Sequence, residues 1–240
     1  MHAMILAAGR GERMRPLTDT APKPLLPVGG KPLVQWHLER LAAAGFKEVV
    51  VNVSWLGQQI VDALGDGRRF GVRLRFSHER PAPLETGGGI ATALPMLGDA
   101  PFVVVSGDIW TDYDFSRVRD TAARMRRDGT LAHLVMVPNP DFHPRGDYVL
   151  EDGAIGRGAP DAQRLTFGNI GVYDPALFEG VAPNTVLKLS MLFDRAMAAG
   201  LITGERFDGR WHNIGTPSQL AGLDAQLRAG RQTNQRATPT

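Results

Sequence analysis

Residues 3–32 read AMILAAGRGERMRPLTDTAPKPLLPVGGKP, an apolar run followed by a long loop rich in glycine, proline and cationic side chains. The run from Ala3 to Ala7 has the length and composition of a buried strand. Small residues directly after such a strand let the backbone approach a ligand, and their N–H groups can bind phosphate oxygens. A long loop without regular structure is unusual inside a compact domain and commonly has a function. The stretch therefore indicates a phosphate-binding loop at one edge of a sheet.

The rest of the chain alternates apolar runs of strand length with helical patterns. Such alternation is typical of a sheet with helices on both faces. We therefore expect an α/β fold of the Rossmann-like, three-layer α/β/α type with a mixed, mainly parallel central sheet. Strands are predicted at residues 3–7, 47–54, 72–79, 102–105, 131–137 and 165–173, with a hairpin within 147–155. Helices are predicted to begin at Pro32 and end before Gly45, and to occupy residues 56–64, 88–97, 116–127, 184–199 and 216–230.

The length of 240 residues suits one domain of this class. We predict a single domain over residues 1–230. Residues 231–240, RQTNQRATPT, are poor in apolar side chains and are predicted to form a flexible tail.

Composition excludes several classes of protein. The 27 Lys and Arg residues nearly balance the 25 Asp and Glu residues, and 43% of the chain is hydrophobic, so the chain is expected to fold and to bind neither nucleic acid nor a membrane surface. The absence of cysteine excludes disulfides, cysteine-ligated metals and a thiol nucleophile. The apolar opening is too short for a signal peptide or a membrane span, so we expect a cytoplasmic protein.

The loop matches neither of the two common phosphate-binding motifs. Met14 stands where a Rossmann G-x-G-x-x-G needs its third glycine, and no G-x-x-x-x-G-K-[ST] occurs in the chain. A glycine-rich turn alone would be an ordinary connection. Lys23 lies between Pro22 and Pro24, which stiffen the backbone on both sides of a cation. This arrangement favours a lysine that is held in place for a ligand.

The loop resembles the signature of the sugar-1-phosphate nucleotidylyltransferases, and the resemblance extends over almost the whole chain. It implies the nucleotide-diphospho-sugar transferase type of fold. The stretches NVSWLGQ (52–58), LETGGGI (84–90), GDIWTDYDF (107–115) and RGDY (145–148) most resemble, within the family, the uridylyltransferases that act on N-acetylmuramate 1-phosphate in cell-wall recycling. The matching residues are Leu6-Ala7-Ala8-Gly9-x-Gly11-x-Arg13, Pro16, Thr18, Pro22-Lys23-Pro24, Lys31-Pro32, Val51-Asn52, Leu84-Glu85-Thr86-Gly87-Gly88-Gly89, Gly107-Asp108, Gly168-Asn169-Ile170-Gly171 and Trp211-x-Asn213-Ile214-Gly215-Thr216-Pro217.

The resemblance implies transfer of a nucleotidyl group from a nucleoside triphosphate, here UTP, to a sugar 1-phosphate, with release of pyrophosphate. The attacking phosphate oxygen is already an anion, so the protein mainly supplies positioning and charge neutralisation. Arg13 would bind the leaving pyrophosphate, and Lys23 would stabilise charge at the α-phosphate. Gly87 and Gly88 would leave room for the base. The other implied nucleotide-binding residues are Leu6, Ala7, Ala8, Gly9, Gly11 and Glu12.

Asp108 follows the most apolar predicted strand, at the strand end where open α/β sheets bind ligands. The resemblance makes it a catalytic residue and a ligand of Mg²⁺, which prefers oxygen ligands. The chain departs from the family pattern at Asn213, where many members carry a second metal-binding aspartate. Three alternatives stay open: Asn213 is a neutral ligand, Asp112 or Asp114 assists, or Asp108 and phosphates suffice. We favour Asn213 as the second ligand.

The resemblance implies that four positions face the sugar, and Ser106 is expected to contact the sugar phosphate or ribose. Glu85, Asp147 and Asn169 also have simple structural explanations, as a helix cap, a turn residue and a strand-edge residue. The five are Glu85, Ser106, Gly146, Asp147 and Asn169.

Other functions remain open at this point. The same chemistry could act on glucose or mannose 1-phosphate with UTP or GTP. Asn213 also permits a catalytically silent protein that binds a nucleotide sugar. The expected assembly is a monomer or a homodimer.

Overall fold

This computed structural model describes residues 1–236, with side chains as far as Gly230. The strands are β1 (Ala3–Leu6), β2 (Pro27–Val28), β3 (Lys31–Pro32), β4 (Glu48–Val53), β5 (Arg73–His78), β6 (Phe102–Ser106), β7 (Ile109–Thr111), β8 (Ala132–Val137), β9 (Val149–Glu151), β10 (Ala154–Gly156), β11 (Thr166–Tyr173), β12 (Ile202–Arg206) and β13 (Trp211–Asn213). The α-helices are α1 (Leu17–Thr20), α2 (Leu33–Ala43), α3 (Gly57–Leu64), α4 (Glu85–Leu97), α5 (Val118–Asp128), α6 (Leu189–Ala198) and α7 (Pro217–Arg236). Over the described residues, no helix has both the length and the apolar character that crossing a bilayer requires.

Nine strands form one sheet in the order β5-β4-β1-β6-β11-β8-β12-β10-β9. The first four strands of that order are parallel, which brings their carboxyl ends to one edge of the sheet. Strand β11 is antiparallel to both of its neighbours, and the far end of the sheet contains the β9–β10 hairpin. The predicted mixed sheet is confirmed, and its parallel character is concentrated in the first half of the chain.

Helices cover both faces of the sheet, as the three-layer prediction requires. On one face, Ile5 and Val105 belong to a buried cluster that includes Leu38 of α2 and Ile60 of α3. On the other face, the alternate residues Met4 and Val104 belong to a cluster that includes Ile90 of α4 and Phe193 of α6. The alternation along each strand therefore divides the core into two layers.

A third buried cluster supports the long loop after β1. Met14 is completely buried and packs in a cluster with Leu26 of the loop, Trp110 of β7 and Leu223 of α7. The Gly29 N–H also donates to Asp224 Oδ1 at 2.8 Å. The loop contains short helical turns at 12–14, 17–20 and 23–25, so it is more ordered than the sequence analysis expected. Helix α7 thus holds the loop against the body of the protein.

Two predicted helix boundaries were wrong, and tertiary hydrogen bonds explain the late start of the second helix. Helix α4 begins at Glu85 rather than at Gly88, and α6 begins at Leu189 rather than at Asn184. Residues 184–188 instead run past the start of α4, where the Leu187 N–H donates to the Leu84 carbonyl and the Gly88 N–H donates to the Leu187 carbonyl. These tertiary hydrogen bonds replace the helical ones that the local sequence favours.

The last helix begins at Pro217, one residue after the predicted start, and it continues beyond Gly230 to Arg236. Residues 237–240 of the predicted tail lie outside the described residues. The division into one domain and a flexible tail stays a prediction.

Candidate active site

A cavity of about 660 Å³ opens at the edge where the four parallel strands end. Most residues that the sequence assigned to nucleotide binding and catalysis line it, and so do Glu85 and Ser106, which it assigned to the sugar phosphate. They are Leu6, Ala7, Ala8, Gly9, Gly11, Glu12, Arg13, Lys23, Glu85, Ser106 and Asp108.

Gly11 shapes the backbone of the loop beside this cavity. Its φ of +65° is in the left-handed region, and its carbonyl accepts hydrogen bonds from the Met14 N–H and the Thr18 hydroxyl, both at 2.8 Å. A Cβ at this position would lie 3.0 Å from Thr18 Cγ2 and 3.3 Å from Lys23 Cβ. The left-handed conformation therefore favours glycine, and the close side chains leave little room for a Cβ.

Lys23 and Asp108 form the central charged pair of the cavity. Lys23 lies in a helical turn and is only 7% exposed, and its Nζ is 2.8 Å from Asp108 Oδ2. Asp108 Oδ1 accepts a hydrogen bond from the Ser106 hydroxyl, also at 2.8 Å. The Asp108 side chain nevertheless remains 37% exposed, so its carboxylate is open to the cavity. The pairing fixes a buried cation beside a carboxylate that a ligand can still reach.

Three hydrogen bonds to other parts of the chain fix the turn that carries Asp108. The Gly107 N–H donates to the Leu6 carbonyl at 2.8 Å, and the Ile214 N–H donates to the Asp108 carbonyl at 2.9 Å. Nε2 of the buried His37 on α2 donates to the Ile109 carbonyl at 2.8 Å. Burial lowers the pKa of His37 to about 4, so its imidazole is neutral at neutral pH.

Two arginines lie on the exposed side of the cavity. The Arg13 guanidinium lies beside Gly215, where a Cβ would be 3.3 Å from Arg13 Nη2. Arg10 lies over the ring of Trp55, with its Cζ 5.2 Å from the ring centroid. Together with Lys23, these cations can compensate the charge of a polyphosphate.

A second cavity of about 270 Å³ contains three more of the predicted residues, Asp147, Asn169 and Asn213. Asn213 on β13 pairs with Ile109 on β7, directly after Asp108, so the second cavity lies beside the first. Asp147 accepts hydrogen bonds from the His143 ring at 3.1 Å and from the Phe167 N–H at 2.8 Å. The remaining wall includes aromatic side chains that the sequence analysis did not assign, and they are Phe142, Tyr148, Phe167 and Trp211.

Three predicted glycines do not line either cavity. Gly146 precedes Asp147 in a turn with φ of +62°. A Cβ on Gly87 would lie 2.8 Å from the Leu187 carbonyl oxygen, and one on Gly88 would lie 1.9 Å from the Thr185 carbonyl oxygen. These contacts explain the two helical glycines by backbone packing, and their role in base binding stays a prediction.

Two buried polar residues of the large cavity, Asn52 and Glu79, had no role predicted from the sequence, although Asn52 belongs to the stretch that matches the family. Asn52 Nδ2 donates to Glu79 Oε1 at 2.6 Å, and burial raises the pKa of Glu79. Each residue lies at or just after the carboxyl end of a parallel strand. A polar residue at that position is the signal that could have found them.

The chain as a whole is similar to known proteins. A model of the nucleotidyl transferase family matches residues 2–146. An N-acetylmuramate alpha-1-phosphate uridylyltransferase from Neisseria meningitidis is 48% identical over 231 residues, which cover 96% of this chain and 99% of that protein. A protein of the same name from Caulobacter vibrioides is 34% identical over 233 residues, covering 94% and 96%.

Solved structures share the fold at lower sequence identity. A Bacillus anthracis protein, a candidate glucose-1-phosphate thymidylyltransferase, has a TM-score of 0.82 at 21% identity, with 95% of this chain and 96% of that chain covered. HddC from Yersinia pseudotuberculosis has a TM-score of 0.77 at 18% identity, covering 94% and 98%. At these identities the likeness concerns the fold, which is the predicted α/β type.

The neutral His37 predicts how stability depends on pH. Its folded pKa of about 4 is below the unfolded value of 6.5. Below pH 6.5 the unfolded chain therefore binds a proton that the folded protein does not, so the free energy of unfolding is highest above pH 6.5 and decreases as the pH falls towards 4. Replacing His37 by Gln should lower the free energy of unfolding at pH 7. It should also reduce the loss of that free energy between pH 6.5 and pH 4, by at most about 3 kcal/mol. Urea unfolding at a series of pH values measures both effects.

Leu38→Ala is the matched control, because Leu38 is the next residue of the same helix and is fully buried without an ionisable group. It should lower the free energy of unfolding by about 2–5 kcal/mol at every pH and leave the pH slope unchanged. An unchanged slope in His37→Gln would contradict the assignment of a buried neutral imidazole.

Proposed function

This chain belongs to the nucleotidyl transferase family, and from that premise we propose that it transfers a uridylyl group from UTP to N-acetylmuramate 1-phosphate. The observation that carries the proposal is the 48% identity to the Neisseria meningitidis uridylyltransferase over nearly the full length of both chains. The products are the UDP-sugar and pyrophosphate. We also propose that the reaction takes place in the cytoplasm and recycles cell-wall sugar, in a monomer or a homodimer.

The proposed reaction is an in-line displacement at the α-phosphorus of UTP. An oxygen of the sugar phosphate forms a bond to the α-phosphorus as the bond to the β-phosphate oxygen breaks, and pyrophosphate leaves with that electron pair. The nucleophile is already ionised, so no side chain has to remove a proton. The protein would accelerate the reaction by positioning the two substrates and by compensating the charge of the transition state.

The cations of the large cavity suit these tasks. Backbone groups of residues 6–11 hold the triphosphate, and Arg13 at the exposed side binds the departing pyrophosphate. Lys23 stabilises negative charge at the α-phosphate, since it is buried and held at 2.8 Å from Asp108 beside the loop. Ser106 and Glu85 line the same cavity, where they can contact the sugar phosphate or ribose.

The acceptor sugar occupies the second cavity in this proposal. Asp147 and Asn169 offer polar groups there, and Gly146 allows the turn that carries Asp147. Asn169 has a φ of +56° in the irregular part of β11, a conformation that asparagine tolerates better than most residues.

The donor set fits a magnesium ion that shares its ligands with phosphate. Asp108 presents a part-exposed carboxylate, and Asn213 lies on the strand paired with the one that follows Asp108. In the described part of the chain, no group of three or more His, Asp or Glu residues forms a metal cage, which agrees with an ion held also by phosphate oxygens and water. When bound, the ion would compensate phosphate charge. Asp112 and Asp114 are engaged elsewhere, with the N–H groups of Arg210 and Ser116.

A catalytically silent protein that binds a nucleotide sugar is the second candidate, because Asn213 lacks the charge of an aspartate. Pyrophosphate release separates the candidates when UTP, GTP, CTP, dTTP and ATP are each combined with N-acetylmuramate, N-acetylglucosamine, glucose or mannose 1-phosphate and Mg²⁺. We expect turnover with UTP and N-acetylmuramate 1-phosphate. Turnover with another pair would replace the substrate assignment, and binding of UTP without any turnover would favour the silent protein.

Lys23→Ala should lower kcat by about 10²–10³-fold, because it removes the buried charge that compensates the transition state. Lys31→Ala is the matched control. Lys31 also precedes a proline and forms an ion pair, with Glu39, but it does not line the cavity. Steady-state pyrophosphate release measures both variants, and full activity in Lys23→Ala would remove Lys23 from the mechanism.

Asn213→Asp should strengthen metal binding by on the order of tenfold, because it adds a negative charge beside Asp108. The half-saturating Mg²⁺ concentration measures this effect, and Mn²⁺ binding by electron paramagnetic resonance with UTP present gives a readout independent of turnover. The control Asp112→Asn changes a nearby carboxylate that does not line either cavity, and it should leave metal affinity unchanged. Equal affinity in Asn213→Asp and the wild type would exclude Asn213 as a ligand.

A further inference from the structure

A chain of three hydrogen bonds crosses the floor of the large cavity. The Ala7 N–H donates to Asn52 Oδ1 at 2.7 Å, and Asn52 Nδ2 donates to Glu79 Oε1 at 2.6 Å. The Leu84 N–H then donates to Glu79 Oε2 at 2.7 Å. Asn52 is 3% exposed and Glu79 is 4% exposed. Two buried side chains thus connect the loop after β1 to the residue that precedes α4.

Helix α4 packs closely against this pair. A Cβ on Gly89 would lie 2.3 Å from Glu79 Oε1 and 3.0 Å from Asn52 Nδ2. Any side chain at this position would therefore displace the pair. This contact explains a glycine within the helix, where glycine costs about 1 kcal/mol relative to alanine. The Asn52–Glu79 pair is therefore in direct contact with the start of α4.

Burying an amide and a carboxylate costs desolvation free energy that apolar side chains would not cost. Burial raises the pKa of Glu79, and the hydrogen bonds from Leu84 and Asn52 oppose that shift. Apolar side chains of similar volume would often be equally stable at such a position. What the polar pair adds is a set of directed bonds to two backbone N–H groups on opposite walls of the cavity.

We propose that Asn52 and Glu79 are positioning residues that set the distance between the two walls of the nucleotide site. One wall is the loop of residues 6–11, and the other is the start of α4 at residues 84–86. This inference rests on the proposed function, since it assigns the large cavity to the nucleotide. The two side chains act through the Ala7 and Leu84 backbone groups rather than on the reacting atoms.

The direction of each hydrogen bond makes the proposal testable with variants of nearly equal shape. In Glu79→Gln, the new amide must turn its N–H₂ group towards either the Asn52 amide or the Leu84 N–H, both of which are donors. In Asn52→Asp, one aspartate oxygen faces Glu79 Oε1. Each single variant leaves a buried polar group without a proper partner.

The double variant Asn52→Asp/Glu79→Gln restores every bond with the middle one reversed. The new carboxylate at position 52 would accept from the Ala7 N–H and from the new amide at position 79. The carbonyl oxygen of that amide would accept from the Leu84 N–H. The total charge is the same as in the wild type. A pair that acts only through its hydrogen bonds is therefore rescued.

Each single variant should raise KM for UTP by on the order of tenfold, which corresponds to about 1.4 kcal/mol, with a smaller change in kcat and in KM for the sugar phosphate. The double variant should return KM for UTP to near the wild-type value. Glu48→Gln is the matched control, because it removes a carboxylate contact at the other end of β4, 2.8 Å from Arg73 Nη2 on β5. It should leave KM for UTP unchanged.

Calorimetric binding of UTP and the thermal midpoint of each variant accompany the kinetics. Single variants that lose thermal stability but bind UTP as the wild type does would overturn the proposal and assign the pair a purely structural role. A double variant no better than the worse single variant would also overturn it. If no sugar phosphate is turned over but UTP affinity follows the predicted pattern, the proposed function fails and the positioning role stands.

Discussion

The register of three parallel strands governs the site. Leu6 at the end of β1 lies opposite Asn52 on β4 and opposite Ser106 on β6, so all three strands end at the same level. One more pairing places Asn52 opposite Ser77 on β5. Because side chains alternate between the two faces of a sheet, a slip of one residue would turn these side chains to the other face. The loop after β1, the turn that carries Asp108 and the Asn52–Glu79 pair are all placed by this shared register.

Charge at this edge is stabilised by pairing rather than by solvent. Lys23 is almost buried, and Asp108 lies 2.8 Å away. A lysine removed from water without such a partner would lose its proton or leave its position. Asp108 in turn depends on β6 for its place and on His37 for the support of the following strand. The site is therefore preorganised for a polyanion by bonds that exist without it.

The sequence was sufficient where the chemistry depends on neighbours along the chain. The loop glycine at position 11, the lysine between two prolines and the aspartate after an apolar strand each carry a local signal, and the structure places all three in one cavity. It was insufficient where the partner is distant. Asn52 and Glu79 are 27 residues apart, and only the parallel pairing of β4 and β5 brings them together. The start of α6 was missed because residues 184–188 bond to α4, a contact that no local pattern records.

The start of α4 shows why three successive glycines occur in a helix, where glycine is a poor former. Gly87 and Gly88 face the backbone of residues 185–189, and Gly89 faces Glu79 on the other side. The helix end is therefore pressed between two neighbours, and no side chain fits at these three positions. Backbone bonds complete the junction, since the Leu84 carbonyl accepts from the Leu187 N–H while the Leu84 N–H donates to Glu79. The same contacts join the start of α4 both to Glu79, which follows β5, and to the segment that leads into α6.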